Sequence, residues 1–223
     1  MLMKKTVVIT GCNRGIGLSF ADLYKKQGYQ VFALCRKSTV ELEALGVEIV
    51  EGVDVSSDGV GAVLKEKLTG VNIDILINNA GILKNEVLGQ IDYSSIRDQF
   101  ETNSLGPLRV TEALLDQISD GGKVALITSR MGSITDNGSG GRYGYRMSKV
   151  ALNIAGVSLA KDVAPKGIAV AILHPGLVGT EMIGGHGDIT PDQAAERLAA
   201  RIEGLTMQNS GTFWHSNGEE LPW

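Results

Sequence analysis

The chain has 223 residues, 43% of them hydrophobic and 21% charged, a composition typical of a globular protein with a substantial core. Its net charge of −4 argues against nucleic acid or an anionic membrane surface as the main partner. No apolar run approaches the roughly 18 residues that span a bilayer, and two cysteines, Cys12 and Cys35, are too few for a disulfide framework. We therefore expect a cytoplasmic protein that binds neither nucleic acid nor membrane.

Short apolar runs rich in β-branched residues alternate with amphipathic stretches along the chain. The runs predict strands at 6–10, 30–34, 48–53, 73–77, 123–128, 168–173 and 212–214. Continuous rather than alternating runs are typical of strands buried on both faces of a parallel sheet. The β-α-β order predicts a doubly wound parallel α/β sheet of Rossmann type, with helices on both faces. No linker divides the chain, so we expect a single domain over 1–223, with a cofactor-binding half at about 1–120 and a catalytic, substrate-binding half at about 121–223.

The first strand runs into residues 10–17, which read TGCNRGIG, and a helical pattern begins there. Glycines let a backbone approach a pyrophosphate closely, and a helix N-terminus presents free N–H groups. The spacing Gly-x3-Gly-x-Gly differs from the ordinary dinucleotide fingerprint, and a tight turn without a ligand is the alternative. The position between a strand and a helix favours a dinucleotide phosphate site.

The end of the second strand distinguishes the two nicotinamide dinucleotides. Enzymes that use NAD usually place an acid there for the ribose 2′-hydroxyl, whereas residues 33–37 read ALCRK, with no carboxylate. Arg36 can bind a 2′-phosphate bidentately, Arg14 can approach from the glycine loop, and Lys37 adds charge. The alternative is that these are solvated loop charges. The pattern favours NADP(H).

One of the five tyrosines, Tyr145, has a lysine four residues later, Lys149. Residues at this spacing share a face of a helix, and a helical pattern runs from Tyr145 to about residue 161. That helix follows a glycine-rich loop and a strand that ends next to Ser129. A tyrosine can protonate a developing alkoxide, a nearby ammonium lowers its pKa, and a serine hydroxyl can orient a carbonyl oxygen. Taken singly, each residue also fits a packing or surface role.

With these motifs in order, the chain resembles the short-chain dehydrogenase/reductase family over essentially its whole length. Residues 10–17 resemble the family's TGxxxGIG motif, and 78–81 read NNAG, as in its second signature. Ser129, Tyr145 and Lys149 match its catalytic residues, and 175–180 match its nicotinamide segment. The resemblance implies that Asn103 completes the catalytic set and holds a water that links Lys149 to solvent.

The resemblance also assigns cofactor roles by position. Lys149 would bind the nicotinamide ribose, 54–55 the adenine, and Asn79 would brace the centre of the sheet. The cofactor-binding set is Gly11, Asn13, Arg14, Gly15, Ile16, Gly17, Arg36, Asp54, Val55, Asn79, Ala80, Gly81, Tyr145, Lys149, Pro175, Gly176, Val178 and Thr180. No metal is expected.

Segments 129–134, 140–146 and 211–223 resemble the C-factor/sniffer-like branch of the family. This resemblance implies an NADPH-dependent carbonyl reductase that acts on a small aldehyde or ketone, or on the corresponding alcohol. The alternative is a signalling or redox-sensing protein that binds NADP(H) with little turnover. Family members often associate through the helices that carry Asn103 and Tyr145, so a homodimer or homotetramer is expected.

Four other features admit a structural and a functional interpretation. Trp223 is expected to pack within the chain, with a subunit interface or a pocket wall as alternatives. The loop 181–191 is expected to close over substrate, with an ordinary surface loop as the alternative. His174 and the two cysteines are expected to have packing roles, with a redox switch at the cysteines as the alternative.

Overall fold

The computed structural model describes residues 4–223, so the first three residues of the expected domain 1–223 lie outside the described residues. Its centre is a sheet of seven parallel strands in the order β3-β2-β1-β4-β5-β6-β7. The strands are β1 (Thr6–Thr10), β2 (Gln30–Leu34), β3 (Glu48–Val50), β4 (Ile73–Asn78), β5 (Ile118–Ile127), β6 (Ala169–His174) and β7 (Phe213–His215). The predicted doubly wound parallel sheet is confirmed.

Seven α-helices cover the two faces of this sheet. They are α1 (Gly15–Lys26), α2 (Val40–Ala44), α3 (Val60–Lys67), α4 (Tyr93–Phe100), α5 (Gly106–Leu114), α6 (Tyr143–Asp162) and α7 (Pro191–Glu203). Phe20 of α1 and Leu198 of α7 belong to the core of one face. Leu64 of α3, Leu114 of α5 and Leu152 of α6 belong to the core of the other. Burial of these apolar side chains fixes the helices against the strands, whose carboxyl ends then share one edge.

Strand boundaries follow the apolar runs closely at the centre of the sheet and less closely elsewhere. The predictions 6–10 and 30–34 coincide with β1 and β2. β3 ends at Val50 rather than at 53, because Gly52 turns the chain with a φ of +76°. β5 begins at Ile118, before the predicted start at 123, and its pairing with β4 shifts register between Ile73 and Ile75. Such a shift lengthens the strand by residues that are not part of the apolar run, so the sequence pattern does not predict them.

The helical region that carries Asn103 is not one regular α-helix. A π-helical turn, Glu101–Leu105, separates α4 from α5. Pro107 explains it, because proline has no N–H to donate to the carbonyl of Asn103, four residues earlier, so the regular ladder is interrupted there. Asn103 therefore lies in a widened turn.

The C-terminal segment packs against the body of the protein, as expected for Trp223. The Trp223 ring stacks on Phe213 with ring centroids 5.5 Å apart. The main-chain oxygen of Trp223 accepts hydrogen bonds from the N–H of Thr135 (3.0 Å) and from its hydroxyl (2.7 Å). Trp223 nevertheless stays 47% exposed. Within residues 4–223, no helix combines the length and the apolar character needed to cross a membrane.

Candidate active site

A cavity of about 640 Å³ lies at the carboxyl edge of the sheet. Most of the residues predicted to bind a cofactor line it. They are Gly11, Asn13, Arg14, Gly15, Ile16, Arg36, Asp54, Val55, Asn79, Ala80, Gly81, Tyr145, Lys149, Pro175 and Thr180. The structure thus brings together residues as far apart in the sequence as Gly11 and Thr180, at the edge where open α/β sheets bind ligands.

Five other predicted residues lie outside the cavity lining. Gly17 and Val178 are buried, and Gly176 turns the chain after β6 with a φ of +95°. Asn103 is fully buried, and Ser129, two residues after the end of β5, is 7% exposed. These residues do not face the cavity, and they support the residues that line it.

The glycine loop and the start of α1 have the form of a phosphate site. Arg14 precedes the helix without a side-chain hydrogen bond to it, and the first turn has no acidic side chain, so the helical N–H groups are available for an anion. A Cβ on Gly17 would lie 2.1 Å from the oxygen of Gly11, and a Cβ on Gly11 would lie 2.9 Å from Cα of Ala80. Only glycine fits this close packing, so the loop fits the pyrophosphate of a dinucleotide.

Asn79 joins the ends of the two central strands, as its predicted bracing role requires. Its side-chain nitrogen donates to the main-chain oxygens of Thr10 (3.0 Å) and Gly11 (3.2 Å). In return, the Thr10 hydroxyl accepts the N–H groups of Asn79 and Ala80, each at 3.0 Å. These four bonds hold the glycine loop against β4, so that both form one wall of the cavity.

The end of the cavity near β2 carries charges of both signs. The hydrogen bond from the Ser56 hydroxyl holds the pKa of Asp54 below its usual value, and the charge of Arg36 acts in the same direction. A further carboxylate, that of Glu51, accepts a hydrogen bond from the N–H of Ser38 in the loop after β2, but Glu51 does not line the cavity. The sequence pattern missed Glu51 because it follows β3, a separate strand.

Tyr145 and Lys149 lie on one face of α6, as their spacing predicts. Tyr145 is in the first turn of the helix and is 9% exposed, and Lys149 is 4% exposed one turn later. The ammonium nitrogen of Lys149 donates to the main-chain oxygen of Ile127, at the end of β5, at 3.0 Å. It also lies 5.7 Å from the centre of the Tyr145 ring. The helix and the strand together therefore place both polar groups at the cavity.

The electrostatics of this pair differ from the sequence-based expectation. Burial raises the pKa of Tyr145 above its ordinary value, and the Ser129 hydroxyl and the Arg142 guanidinium oppose that rise. Burial also lowers the pKa of Lys149 to about 8. We expected Lys149 to lower the pKa of the phenol, whereas burial is the largest effect on the phenol in this structure. The phenol is consequently protonated at neutral pH.

Asn103 is held by the protein through both ends of its amide. Its oxygen accepts the N–H of Ile82 (2.8 Å), while its nitrogen donates to the oxygen of Ile82 (2.8 Å) and to the hydroxyl of Ser148 (3.0 Å). A Cβ on Gly81 would lie 3.2 Å from the Asn103 oxygen and 3.7 Å from the Lys149 nitrogen. The absence of a side chain at Gly81 therefore leaves the space between these two polar groups open.

Several cavity residues were missed by the sequence analysis. Lys84, Asp98, Glu101 and Met182 line the same cavity. Lys84 lies three residues after the NNAG motif, and this position in the sequence could have identified it as a cavity residue. The two acids lie in and after α4, and their place at the cavity depends on packing that no local pattern reports.

The histidine and cysteine side chains have the packing roles expected of them. His174 packs edge-on against His215, with ring centroids 4.9 Å apart, and burial lowers its pKa to about 3. Cys12 and Cys35 are buried, and burial raises the pKa of both thiols, which disfavours the reactive thiolate. Among the described residues, no group of three or more His, Cys, Asp or Glu side chains has an arrangement that could hold a metal.

Comparison with known proteins identifies the family. A family model described as short chain dehydrogenase matches residues 5–189, most of the chain. The chain belongs to the short-chain dehydrogenase/reductase family. The chain is 41% identical to a 1-hydroxy-2-glutathionyl-2-methyl-3-butene dehydrogenase of Rhodococcus, over 98% of this chain and 99% of the relative. It is also 43% identical to C-signal of Myxococcus xanthus, over 68% of this chain and 93% of that protein.

Solved structures resemble this chain along nearly its whole length. Carbonyl reductase Sniffer of D. melanogaster superimposes with a TM-score of 0.87 and 28% identity, over 99% of this chain and 100% of that one. An NADPH-bound carbonyl reductase from chicken fatty liver gives a TM-score of 0.88 and 28% identity, over 100% of both chains. The predicted likeness to the C-factor/sniffer-like branch is thereby confirmed.

Proposed function

We propose that the protein is an NADPH-dependent carbonyl reductase in which Tyr145 is the general acid. The observation that carries this proposal is the placement of a buried tyrosine and a buried lysine on one helix face, in the cavity that the glycine loop also lines. The similarity to the NADPH-bound carbonyl reductase from chicken supports the choice of cofactor. When bound, the dinucleotide supplies the hydride.

We assign residues of this chain to the pyrophosphate, the 2′-phosphate and the nicotinamide ribose of the cofactor. The free N–H groups at the start of α1 would hold the pyrophosphate, and Arg36 would hold the 2′-phosphate at the end of β2. Pro175 and Thr180 line the same cavity as Lys149, and these residues would hold the nicotinamide and its ribose. We retain the sequence-based division of labour, in which the first half of the domain mainly binds the cofactor and the second half mainly supplies the catalytic groups.

Tyr145 would deliver the proton that the reduced carbonyl oxygen requires. Its raised pKa keeps the phenol protonated at neutral pH, and a protonated phenol is the form that can act as an acid. The Ser129 hydroxyl, close enough to affect that pKa, would donate a hydrogen bond to the same substrate oxygen and fix its position. Lys149 would bind the ribose hydroxyls and stabilise the phenolate left after proton transfer.

Asn103 would support the route by which Tyr145 regains its proton. Its amide fixes the backbone of Ile82, and its oxygen faces the space above Gly81 that Lys149 also faces. A water in that space would have the amide oxygen as an acceptor and the ammonium as a donor. Protons would then pass from solvent to Lys149 and on to Tyr145.

A second candidate is the reverse reaction, oxidation of a hydroxyl group on an anionic conjugate. The relative from Rhodococcus is a dehydrogenase of a glutathionyl alcohol, and the similarity extends over nearly the full length of both chains. Two cations, Lys84 in the cavity lining and Arg142 near Tyr145, are available to a substrate carboxylate, although the acids Asp98 and Glu101 line the same cavity. These cations favour substrates that carry carboxylates.

The competing interpretation is a signalling or redox-sensing protein that binds NADP(H) with little turnover. The similarity to C-signal favours it, but that similarity is limited to about two thirds of the chain. A protein that only binds a dinucleotide could use Lys149 for the ribose, but it has no need of a buried tyrosine placed as an acid beside the Ser129 hydroxyl. We therefore favour turnover.

We also propose a homodimer or homotetramer formed through the helices that carry Asn103 and Tyr145. Leu105, Leu108 and Ile154 are exposed apolar residues on this part of the surface. Light scattering of the purified protein tests the proposal, and a monomer at micromolar concentration would contradict it.

The proposed activity is tested with purified protein and a panel of aldehydes and ketones, each with NADPH and with NADH. A matched panel of alcohols with NADP⁺, including thioether conjugates that carry carboxylates, tests the reverse direction. We expect NADPH-dependent reduction of at least one carbonyl class. Tight NADPH binding without turnover in either direction would contradict the proposal and favour the binding protein.

A further inference from the structure

We propose that Glu86 is a positioning residue, whose buried carboxylate holds the first turn of α6 and thereby fixes the hydroxyl of Tyr145. This inference rests on the proposed function, because it assigns Glu86 a role in the reaction that Tyr145 would perform. Glu86 lies in the segment between β4 and α4 and does not line the cavity.

Glu86 is only 3% exposed, which is unusual for a carboxylate. A buried carboxylate is stable only when hydrogen-bond donors replace the water it has lost. Glu86 has three such donors. One carboxylate oxygen accepts the main-chain N–H of Gly144 at 3.0 Å, and the other accepts the hydroxyl of Ser95 at 3.0 Å and the side-chain amide of Gln99. The carboxylate thus joins α4 to α6.

The same cluster also fixes the segment that enters the cavity. Gln99 is fully buried, and its amide oxygen accepts the N–H of Lys84 at 2.9 Å. The main-chain oxygen of Glu86 accepts the N–H of Arg142 at 3.3 Å. Among residues 4–223, Arg142 is the only non-glycine residue with a positive φ, +50°, and it immediately precedes α6. The surrounding contacts therefore maintain an unfavourable backbone conformation at the start of the helix.

Gly144 shows how closely the helices meet at this point. A Cβ on Gly144 would lie 2.5 Å from the side-chain nitrogen of Gln99, 3.0 Å from a carboxylate oxygen of Glu86 and 3.0 Å from Cα of Ile96. The first turn of α6 therefore has no room to shift toward α4, while the hydrogen bond to Glu86 prevents a shift away from it. Tyr145 is the next residue in the chain, so its position is fixed with that of Gly144.

The charge of Glu86 matters as well as its shape. All three groups donate to the carboxylate, and two of them, the Gly144 N–H and the Gln99 N–H₂, cannot accept in return. An amide at this position would turn its own N–H₂ group toward one of them, which leaves a buried donor without a partner. The anion also interacts favourably with the positive end of the α6 dipole. Glu86→Gln therefore disturbs the contact with little change in volume.

The test compares Glu86→Gln with Leu68→Ala, a control that removes a fully buried apolar side chain after α3, away from the cavity. Both variants should melt at a lower temperature than the wild type. We expect kcat of Glu86→Gln to fall about 10- to 100-fold while KM for NADPH stays nearly unchanged, because misplacement of a reacting group by about 1 Å has effects of this size. Leu68→Ala should keep its kcat at temperatures below its melting transition.

Hydrogen exchange gives a readout that does not depend on turnover. The Gly144 amide should exchange at least about tenfold faster in Glu86→Gln than in the wild type, and Leu68→Ala should leave it protected. If the wild type reduces no carbonyl, the proposed function fails, while the exchange rate still decides whether Glu86 holds α6.

A double variant, Glu86→Gln with Gln99→Glu, returns a carboxylate to the cluster from α4. The new amide at 86 can accept from Gly144 and donate to the carboxylate at 99, so we expect part of the lost kcat and of the lost protection to return. An unchanged Gly144 exchange rate in Glu86→Gln, or losses of kcat that are equal in Glu86→Gln and Leu68→Ala, would overturn the proposal.

Discussion

Arg14 and Glu181 form an ion pair at the cavity, with a guanidinium nitrogen 2.6 Å from a carboxylate oxygen. Arg14 immediately precedes α1, and Glu181 begins a short 3₁₀ turn in the loop 181–191 that follows β6. The pair therefore links the glycine loop to the segment that we expected to close over substrate. It also gives Arg14 a partner other than the cofactor phosphate for which it was predicted.

We expect Glu181→Gln to release Arg14 for the 2′-phosphate. Both side chains are mostly exposed, so the pair contributes at most about 1 kcal/mol and KM for NADPH should fall by about two- to fivefold. KM for NADH should stay the same, because NADH has no 2′-phosphate. Steady-state kinetics with both cofactors measure this effect, and Glu196→Gln on the exposed face of α7 is the control. A higher KM for NADPH would show that the ion pair helps to hold the cofactor.

Arg36 should determine the choice between the two cofactors. Arg36→Asp replaces a phosphate ligand with a carboxylate that repels phosphate and accepts a hydrogen bond from a ribose 2′-hydroxyl. We expect the ratio of kcat/KM for NADPH to that for NADH to fall by at least about tenfold. Lys37→Ala, at the neighbouring position, should change the ratio less. An unchanged ratio in Arg36→Asp would mean that Arg36 does not contact the 2′-phosphate.

Because of Lys149, the free energy of unfolding should increase as the pH rises above about 8. Its pKa is about 8 in the folded protein against an ordinary 10.5, so the unfolded chain binds more protons between these values and stability rises with pH there. Lys149→Met lacks this titration and should be more stable than the wild type at neutral pH. We expect that advantage to shrink by on the order of 1–3 kcal/mol between about pH 7 and about pH 10. Urea titrations at both pH values measure it, and an advantage that grows with pH would contradict the assignment.

The limits of two strands, the helix face and the glycine loop were predicted correctly because each depends on residues close together in the sequence. The limits of β1 and β2 follow from continuous apolar runs, and the shared helix face of Tyr145 and Lys149 follows from their spacing. The glycine loop was recognisable because a turn, a close approach and a helix start impose glycine at fixed positions.

The features that were missed depend on contacts between distant segments. The ion pair of Arg14 joins residues 167 positions apart, and the bond from Gly144 to Glu86 joins residues 58 positions apart. The rise in the pKa of Tyr145 results from burial by the whole fold, which the spacing of a lysine does not report. To predict the π-helical turn at Asn103, one would have had to combine the effect of Pro107 with the packing of the two flanking helices.

The most direct test of the account is the turnover of Tyr145→Phe with the best carbonyl substrate and saturating NADPH. The variant keeps the ring and its packing and loses only the hydroxyl, so cofactor binding should stay within about twofold of the wild type while kcat falls by about 10²- to 10⁴-fold. Fluorescence titration of NADPH with the same preparation provides the binding control. A Tyr145→Phe protein that reduces the carbonyl at a near-normal rate would contradict the assignment of Tyr145 as the general acid.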